Sequence, residues 1–418
     1  MSQPPSATAT ATAPPPNRSF LRNVGLLYAI RVLFWAHFFG AVMTQFFTEW
    51  GGLKLSQVFY LNAWFMLCSF LLEVPTGVIA DFFGRKVSLA LGGVVAAGGA
   101  LLYASEPSLV RFVVAEAALA VAFTLHSGAD EALIYDSLKA AGNEAAGVRV
   151  LARLEACKLI GINLGTLAGA WIASTWGLAA PMRAYALPVM AVTVLALFLR
   201  EAPTGAVTAT RGNYRKILTA GGRFFWSHHA LRRLSLELAV TNALAWAIIW
   251  LYQPLLQQCG LPLKWFGVVH ASACLAQVGF LSQVDRLTRW FGSRRRLLLV
   301  STVIAGVSML LLAWIRWLPL VVPLIVCAFA FSLPRVAIYS AQFNALIPSA
   351  ERATVLSFGS MIRTLAIVVL NPFTGLMADH SLALAFAVLG GLLTVLPWWS
   401  RVEDEAGAAA SQTPNPRP

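Results

Sequence analysis

The sequence is poor in charge: only 12% of its 418 residues are Asp, Glu, Lys or Arg, while 58% are hydrophobic. Soluble globular chains carry about twice that share of charge, so the scarcity excludes a water-soluble fold and leaves the lipid bilayer as solvent. Acidic residues are scarcer still, 18 against 31 Lys and Arg, for a net charge of +13. The basic residues are dispersed between apolar runs instead of forming a patch. They are therefore expected to set topology and meet lipid headgroups, and no nucleic acid is expected as a partner. The five cysteines, Cys68, Cys157, Cys259, Cys274 and Cys327, show no CxxC or CxxH spacing, which leaves them as small buried hydrophobes instead of a disulfide framework or a metal site. HExxH and GxSxG are absent, and His126, Ser127 and Asp130 sit within one helical turn, too close together to converge on a substrate as a hydrolase. Catalytic residues, metal and cofactor are thus expected to be none. The N-terminal stretch before Arg18 lacks both charge and an apolar run, so it reads as a disordered tail and not as a signal peptide.

What the chain does have is long apolar runs. Bounded by charge, Pro or Gly, they predict helices at 24–48, 56–80, 87–104, 109–137, 151–175, 182–199, 233–257, 264–284, 297–315, 319–343, 355–378 and 382–400. Each is near the roughly 20 residues that cross a hydrocarbon core. The expected fold is an all-α membrane protein whose twelve transmembrane helices form two pseudo-symmetric six-helix bundles. A tail at 1–19 leads into an N-terminal bundle at 20–200; a central loop at 201–232 joins it to a C-terminal bundle at 233–400, followed by a tail at 401–418. With the N-terminus inside, about 22 of the 31 Lys and Arg fall on inner loops and tails, and about five (Lys54, Arg111, Arg183, Lys264 and Arg316) on outer ends. Both termini are accordingly expected in the cytoplasm, with the chain in the cell's inner (plasma) membrane.

The halves align at an offset of about 204 residues, pairing Glu73 with Gln277, Asp81 with Asp285, Glu131 with Arg335 and Tyr135 with Tyr339. Parallel repeats of this kind are common in transporters, whose substrate sites lie at mid-membrane between the repeats.

Between the second and third helices stand Gly77, Asp81, Gly84, Arg85 and Lys86. Gly77 would permit close helix approach, Gly84 a tight turn, and Asp81 offers a carboxylate to a helix N-terminus or a cation. The string resembles the G-x-x-x-D-x-x-G-R-[KR] signature of the major facilitator superfamily, drug-efflux-like branch. That resemblance implies a gating latch holding the halves together on the cytoplasmic side while the cavity faces outward. A degenerate counterpart starts at Asp285 and runs through Gly292, Arg294 and Arg295.

Ionisable residues inside the bilayer are functional candidates because their burial is costly. Arg31, Glu73, Asp130, Glu131, Asp136, Glu155 and Lys158 fall in the cytoplasmic third of the first half. They are expected to form one polar cluster that takes up a proton during the cycle or clamps the bundle. Spacing puts Glu155 and Lys158, His126 and Asp130, and Glu131 and Tyr135 on shared helix faces. Glu237, Arg335 and Arg363 make a second candidate cluster, whose positive surplus would favour an anionic group. Nearer the middle, His37, Asn62, Asn163, Asn242, His270, Gln277 and Asn371 are substrate-cavity candidates, beside Gln45. Gly161, Gly165 and Gly169 form a small-residue stripe that allows close helix contact. The stripe resembles the fifth helix of drug-proton antiporters, although their Gly-Pro step is absent and Thr124 stands where their helix 4 arginine belongs.

The resulting expectation is a monomeric secondary transporter, not an enzyme, exporting a small organic molecule by alternating access, with the proton gradient as driving force and the bilayer as its other partner. Uptake of an anionic nutrient or metabolite is the alternative; a transporter-like sensor or an intramembrane enzyme is a remote one.

Overall fold

In the computed structural model the described residues are 17–201, 219, 222–347 and 352–399. The tail expected at 401–418, the tail before Asn17, and 202–218 of the central loop lie outside them. The final residues of the first tail are ordered: Arg18–Phe20 is a 3-10 turn capped by the Asn17 side chain, and the Asn17 N–H donates to Ala140 O at 2.9 Å.

Among the described residues all regular structure is helical, and the helices fall into twelve crossings, the first of them broken. The elements are α1 Leu21–Phe34, α2 Leu55–Phe83, α3 Arg85–Tyr103, α4 Leu109–His126, α5 Ala129–Ala140, α6 Gly147–Trp176 and α7 Ala180–Leu197 in the first half. The second half has α8 His229–Trp246, α9 Ile248–Gln258, α10 Phe266–Ser282, α11 Arg294–Leu312, α12 Leu318–Ser332, α13 Arg335–Leu346, α14 Arg352–His380 and α15 Leu382–Val395. Ten helical runs are long and apolar enough to span a bilayer, and Leu382–Trp398 is a shorter apolar helix. Helix already resumes at 222–227 and His229, earlier than the loop end expected at 232. An even number of crossings puts both described ends, 17–20 and 396–399, on one face, here the terminal face; the opposite one is the distal face.

Four crossings read as continuous are broken. The fourth breaks at Ser127-Gly128, because Gly128 takes φ +77°, a left-handed conformation that disfavours other residues. The tenth breaks at Leu333-Pro334, where proline removes a backbone donor. At the repeat offset of about 204 these two breaks fall within two residues of each other. The seventh has a short interruption at Ala247.

The first crossing is the most altered: α1 ends at Phe34, helix resumes at Met43–Gln45, and Phe46–Trp50 is wound as a π-helix. Its unwound stretch lies against the glycine stripe of α6. A Cβ on Gly165 would stand 2.6 Å from the Ala36 carbonyl carbon and 2.7 Å from the His37 nitrogen, and Gly161 and Gly169 press on Val32 O and Phe38 O. Carbonyls freed by the break find donors, Tyr185 Oη to Phe34 O at 2.7 Å and Gln253 Nε2 to Gly40 O at 3.1 Å, as buried backbone groups require. Gly165→Ala is expected to lower stability by about 1–3 kcal/mol through overpacking. Thermal denaturation of the purified protein checks this against Gly98→Ala, whose added Cβ would meet nothing within 4 Å.

Candidate functional site

Arg31 points from α1 into the first bundle, buried. Its Nη1 donates to Asp130 Oδ2 at 2.6 Å, and its Nη2 to Glu131 Oε1 at 3.1 Å and Glu155 Oε1 at 2.5 Å. Asp130 is fully buried, whereas the side chains of Glu131 and Glu155 are 52% and 53% exposed. Lys158 reaches the other Glu155 oxygen at 3.5 Å and sits 4.6 Å above the Trp35 ring. Three carboxylates thus face two cations at the junction of α1, α5 and α6. The break at Gly128 makes this possible: it starts α5 afresh, so that Asp130 and Glu131 occupy its first turn, where a helix N-terminus favours negative charge. Asp130 Oδ1 accepts from the Glu131 N–H at 2.8 Å. The same break undoes the shared face expected for His126 and Asp130; His126 instead stacks on Phe34 with ring centroids 3.8 Å apart. Tyr135 is exposed.

Two residues expected in this cluster are elsewhere. The Glu73 side chain is exposed on α2 without an ion pair among the described residues, since that face of α2 has no neighbour at this end. Asp136 lies one turn too far along α5 and pairs with Arg85, belonging to the loop.

That loop is in place but disengaged. Gly84 takes φ +95°, and a Cβ there would come 2.7 Å from Glu201 Oε1, which accepts from the Lys86 N–H at 2.6 Å. Asp81 is exposed and unpaired among the described residues. The close approach expected at Gly77 is absent, since a Cβ there would meet nothing within 4 Å. The counterpart loop is folded as a short surface helix, Val284–Phe291, with Asp285 exposed.

In the second half the expected cluster is looser. Glu237 Oε1 accepts from Tyr339 Oη at 2.5 Å, and buried Arg335 donates to Thr302. Glu237 and Arg335 are close enough to interact electrostatically but form no ion pair. Arg363 is half-buried and joins none among the described residues.

The halves meet on the distal side. Asn62 Oδ1 of α2 accepts from Trp246 Nε1 of α8 at 3.1 Å and from Asn371 Nδ2 of α14 at 2.7 Å. Further out, Gln253 Oε1 accepts from the Thr44 N–H at 2.8 Å, Thr44 Oγ1 donates to Trp250 O at 3.1 Å, and Gln257 Nε2 donates to Glu49 Oε1 at 2.6 Å. Asp379, near the end of α14, accepts from the Ser56 N–H in the first turn of α2 at 3.0 Å. A Cβ on Gly375 would stand 2.7 Å from Ser56 Cα. The same two helices, α2 and α14, are therefore jammed together at the distal end, while Gly77 at the other end of α2 touches nothing. The protein is closed distally and parted toward the terminal face.

Of the mid-membrane candidates, Asn62 and Asn371 form this junction. His37 stacks on Phe39 at 5.1 Å and meets Tyr185 edge-on at 5.6 Å; His270 Nδ1 bonds Tyr252 Oη at 2.9 Å. The two histidines come from opposite halves and lie within electrostatic reach of each other. Asn163 Nδ2 donates to Leu159 O at 2.8 Å while its Oδ1 is buried without a partner. Asn242 is buried and Gln277 half-buried. Gln45 is buried with both side-chain polar atoms unpartnered. Asp379, Gln253 and Glu116 are not among the candidates: Asp379 lies just past the predicted run 355–378, Gln253 near the end of the predicted run 233–257, and Glu116 is a single acid inside an apolar run.

No curated protein matches the chain in sequence. Several solved structures share its fold. A nucleoside transporter, NupG, is 11% identical, with a TM-score of 0.74 over 94% of this chain and 100% of that one. A D-xylose–proton symporter is 13% identical, with a TM-score of 0.70 over 91% and 98%. A bacterial homologue of the human lysosomal transporter Spinster, inward-facing and occupied, is 15% identical, with a TM-score of 0.67 over 96% and 98%. A family model matches residues 24–370, most of the chain and parts of both bundles, and with it the chain belongs to the Major Facilitator Superfamily of membrane transporters.

Proposed function

We propose that this transporter exports a small organic molecule in exchange for protons, by alternating access, and that the terminal face is cytoplasmic, so that the structure is its inward-open state. The observation that carries the coupling is the Arg31 cluster, with three carboxylates against two cations and two of the three carboxylates half exposed. Protonation of Glu155 would leave Arg31 paired with Asp130 and Glu131 of α5 and loosen its tie to α6. One proton then changes which helices α1 holds. The outward direction is supported by the glycine stripe of α6 through its resemblance to the fifth helix of drug-proton antiporters; the stripe seats the unwound segment of the first crossing, and broken helices commonly border substrate. The dispersal of the basic residues supports the inner membrane; the same reading includes no cofactor beyond the gradient and action as a monomer.

A second reading, uptake of an anionic metabolite, is favoured by Arg363, half-buried and without an ion pair among the described residues. Proteoliposome flux separates the two. Export coupled to protons predicts substrate leaving the cytoplasm-facing side faster when the opposite side is acidic, with Glu131→Gln and Glu155→Gln each flattening the pH profile. Flux indifferent to the gradient in both directions would remove proton coupling. Unchanged pH profiles in both variants would make the cluster structural. Saturable accumulation of organic anions, lost in Arg363→Gln, would select the second reading.

A further inference from the structure

Glu116 lies two turns into α4 from the distal face. Its exposure is 4%, and it forms no salt bridge among the described residues. The titratable groups facing it are the Tyr103 hydroxyl from α3 and the Cys68 thiol from α2, neither of which carries positive charge. Tyr103 is fully buried, and its hydroxyl lies beside the carboxyl without closing a hydrogen bond. Arg111 on the same helix turns to the rim, pairing with Glu106 at 2.7 Å. An ionised carboxylate left this dry and unmatched is strongly disfavoured, so the group is neutral in this state.

Its cover toward the distal face is aromatic and belongs to a moving boundary. Phe112, one turn nearer that face on the same side of α4, packs with ring centroids 5.8 Å from Phe46, 5.5 Å from Phe47 and 5.6 Å from Tyr103. A Cβ on Gly51 would lie 2.8 Å from the Phe112 ring. Residues 46–51 are therefore the lid. Phe46–Trp50 is π-helical, a winding often found at functional sites. Its only charged residue, Glu49, is exposed and bonded to Gln257 of the other half. Thr44 bonds Gln253, and Phe47 lies 6.5 Å from Trp250. Parting the distal halves would release these bonds and free the segment that shields Phe112 and the carboxyl behind it.

We propose that Glu116 is a proton-binding site of this transporter, occluded while the distal face is closed and exchanging its proton through that face when it opens. The proposal rests on the alternating-access reading. Loading is the reversible transfer of one proton from water to a carboxylate oxygen, with no other bond changed.

The test is infrared difference spectroscopy of the purified full chain in nanodiscs, following the carbonyl stretch of a protonated carboxyl. At neutral pH the band is expected in the wild type and in Glu131→Gln, and to be missing in Glu116→Gln. On raising the pH it should persist in the closed protein and fade in Asp379→Asn, which favours opening. Carbodiimide labelling mapped by mass spectrometry gives a second readout that needs no substitution at Glu116 itself; Glu116 is expected to label faster in Asp379→Asn than in the wild type. Reaction of Ser56→Cys, with and without Asp379→Asn, with an impermeant thiol reagent reports opening itself. Absence of a Glu116-dependent band overturns the proposal. So does a band that never fades although Ser56→Cys reacts, and in that case alternating access stands. If neither the band nor the thiol responds, both readings fall together.

Discussion

Arg31→Met is expected to cost the fold about 3–5 kcal/mol and to abolish transport. The replacement keeps the apolar stem of the side chain and removes its charged head, leaving Asp130 fully buried with no cation beside it; an uncompensated buried charge costs on that order. The companion variants separate this from loss of packing. Arg31→Met combined with Asp130→Asn should recover most of the lost stability, because no unpaired charge remains, while transport stays absent if the cluster is the coupling element. Glu131→Gln and Glu155→Gln are expected to change stability by less than about 1 kcal/mol, since each acid is half exposed and the surrounding water screens it. Thermal unfolding of the four proteins in one detergent measures the series. Equal melting points for Arg31→Met and wild type would remove the cluster from any structural role.

The second large effect concerns the balance between the two faces. Asp379 caps the first turn of α2 from across the interface; asparagine keeps an oxygen that can accept from the Ser56 N–H but loses the charge at the helix N-terminus, which costs roughly 0.3–1 kcal/mol. Nothing comparable is lost in the outward-open state, where that contact is broken, so Asp379→Asn should shift the population toward distal opening by roughly two- to fivefold. Asp81→Asn should act in the opposite sense: Asp81 is unpaired here, so this state loses nothing, while any state that uses the Asp81 latch is weakened. Spin-label distances across the two faces would read both shifts. Movement of the two variants in the same direction would exclude opposed latches.

The passage from sequence to structure succeeded where one physical rule dominates. Apolar length fixed the crossings, and the loop from Gly77 to Lys86 sits where topology puts it. Of the expected cluster, Arg31, Asp130, Glu131, Glu155 and Lys158 do meet, because a buried cation must find the nearest acids. Reasoning failed where backbone and tertiary contact compete with periodicity. The run 24–48 reads as a helix in composition, yet glycines more than a hundred residues away admit its unwound backbone. Gly128 lies inside the run 109–137 that reads as one helix, and its positive φ splits the fourth crossing. Glu73 sits at a depth suited to the charge cluster but on the wrong side of α2, and depth was all that sequence supplied. Asp379 was invisible because its partner is a backbone N–H, which every residue other than proline carries.

The helix α2, 29 residues from Leu55 to Phe83, can be viewed as a rocker arm with a catch at either end. At its distal end it receives a carboxylate from the opposite half, and near its terminal end it carries a carboxylate of its own, idle in this state. A rigid arm of this kind turns over fastest when its two catches are of similar strength, since the stronger one sets the slower stroke. Tightening either catch alone, by an engineered cross-link or an added charge, should therefore slow the cycle even though it stabilises the protein. Weakening both together should restore speed at the expense of stability.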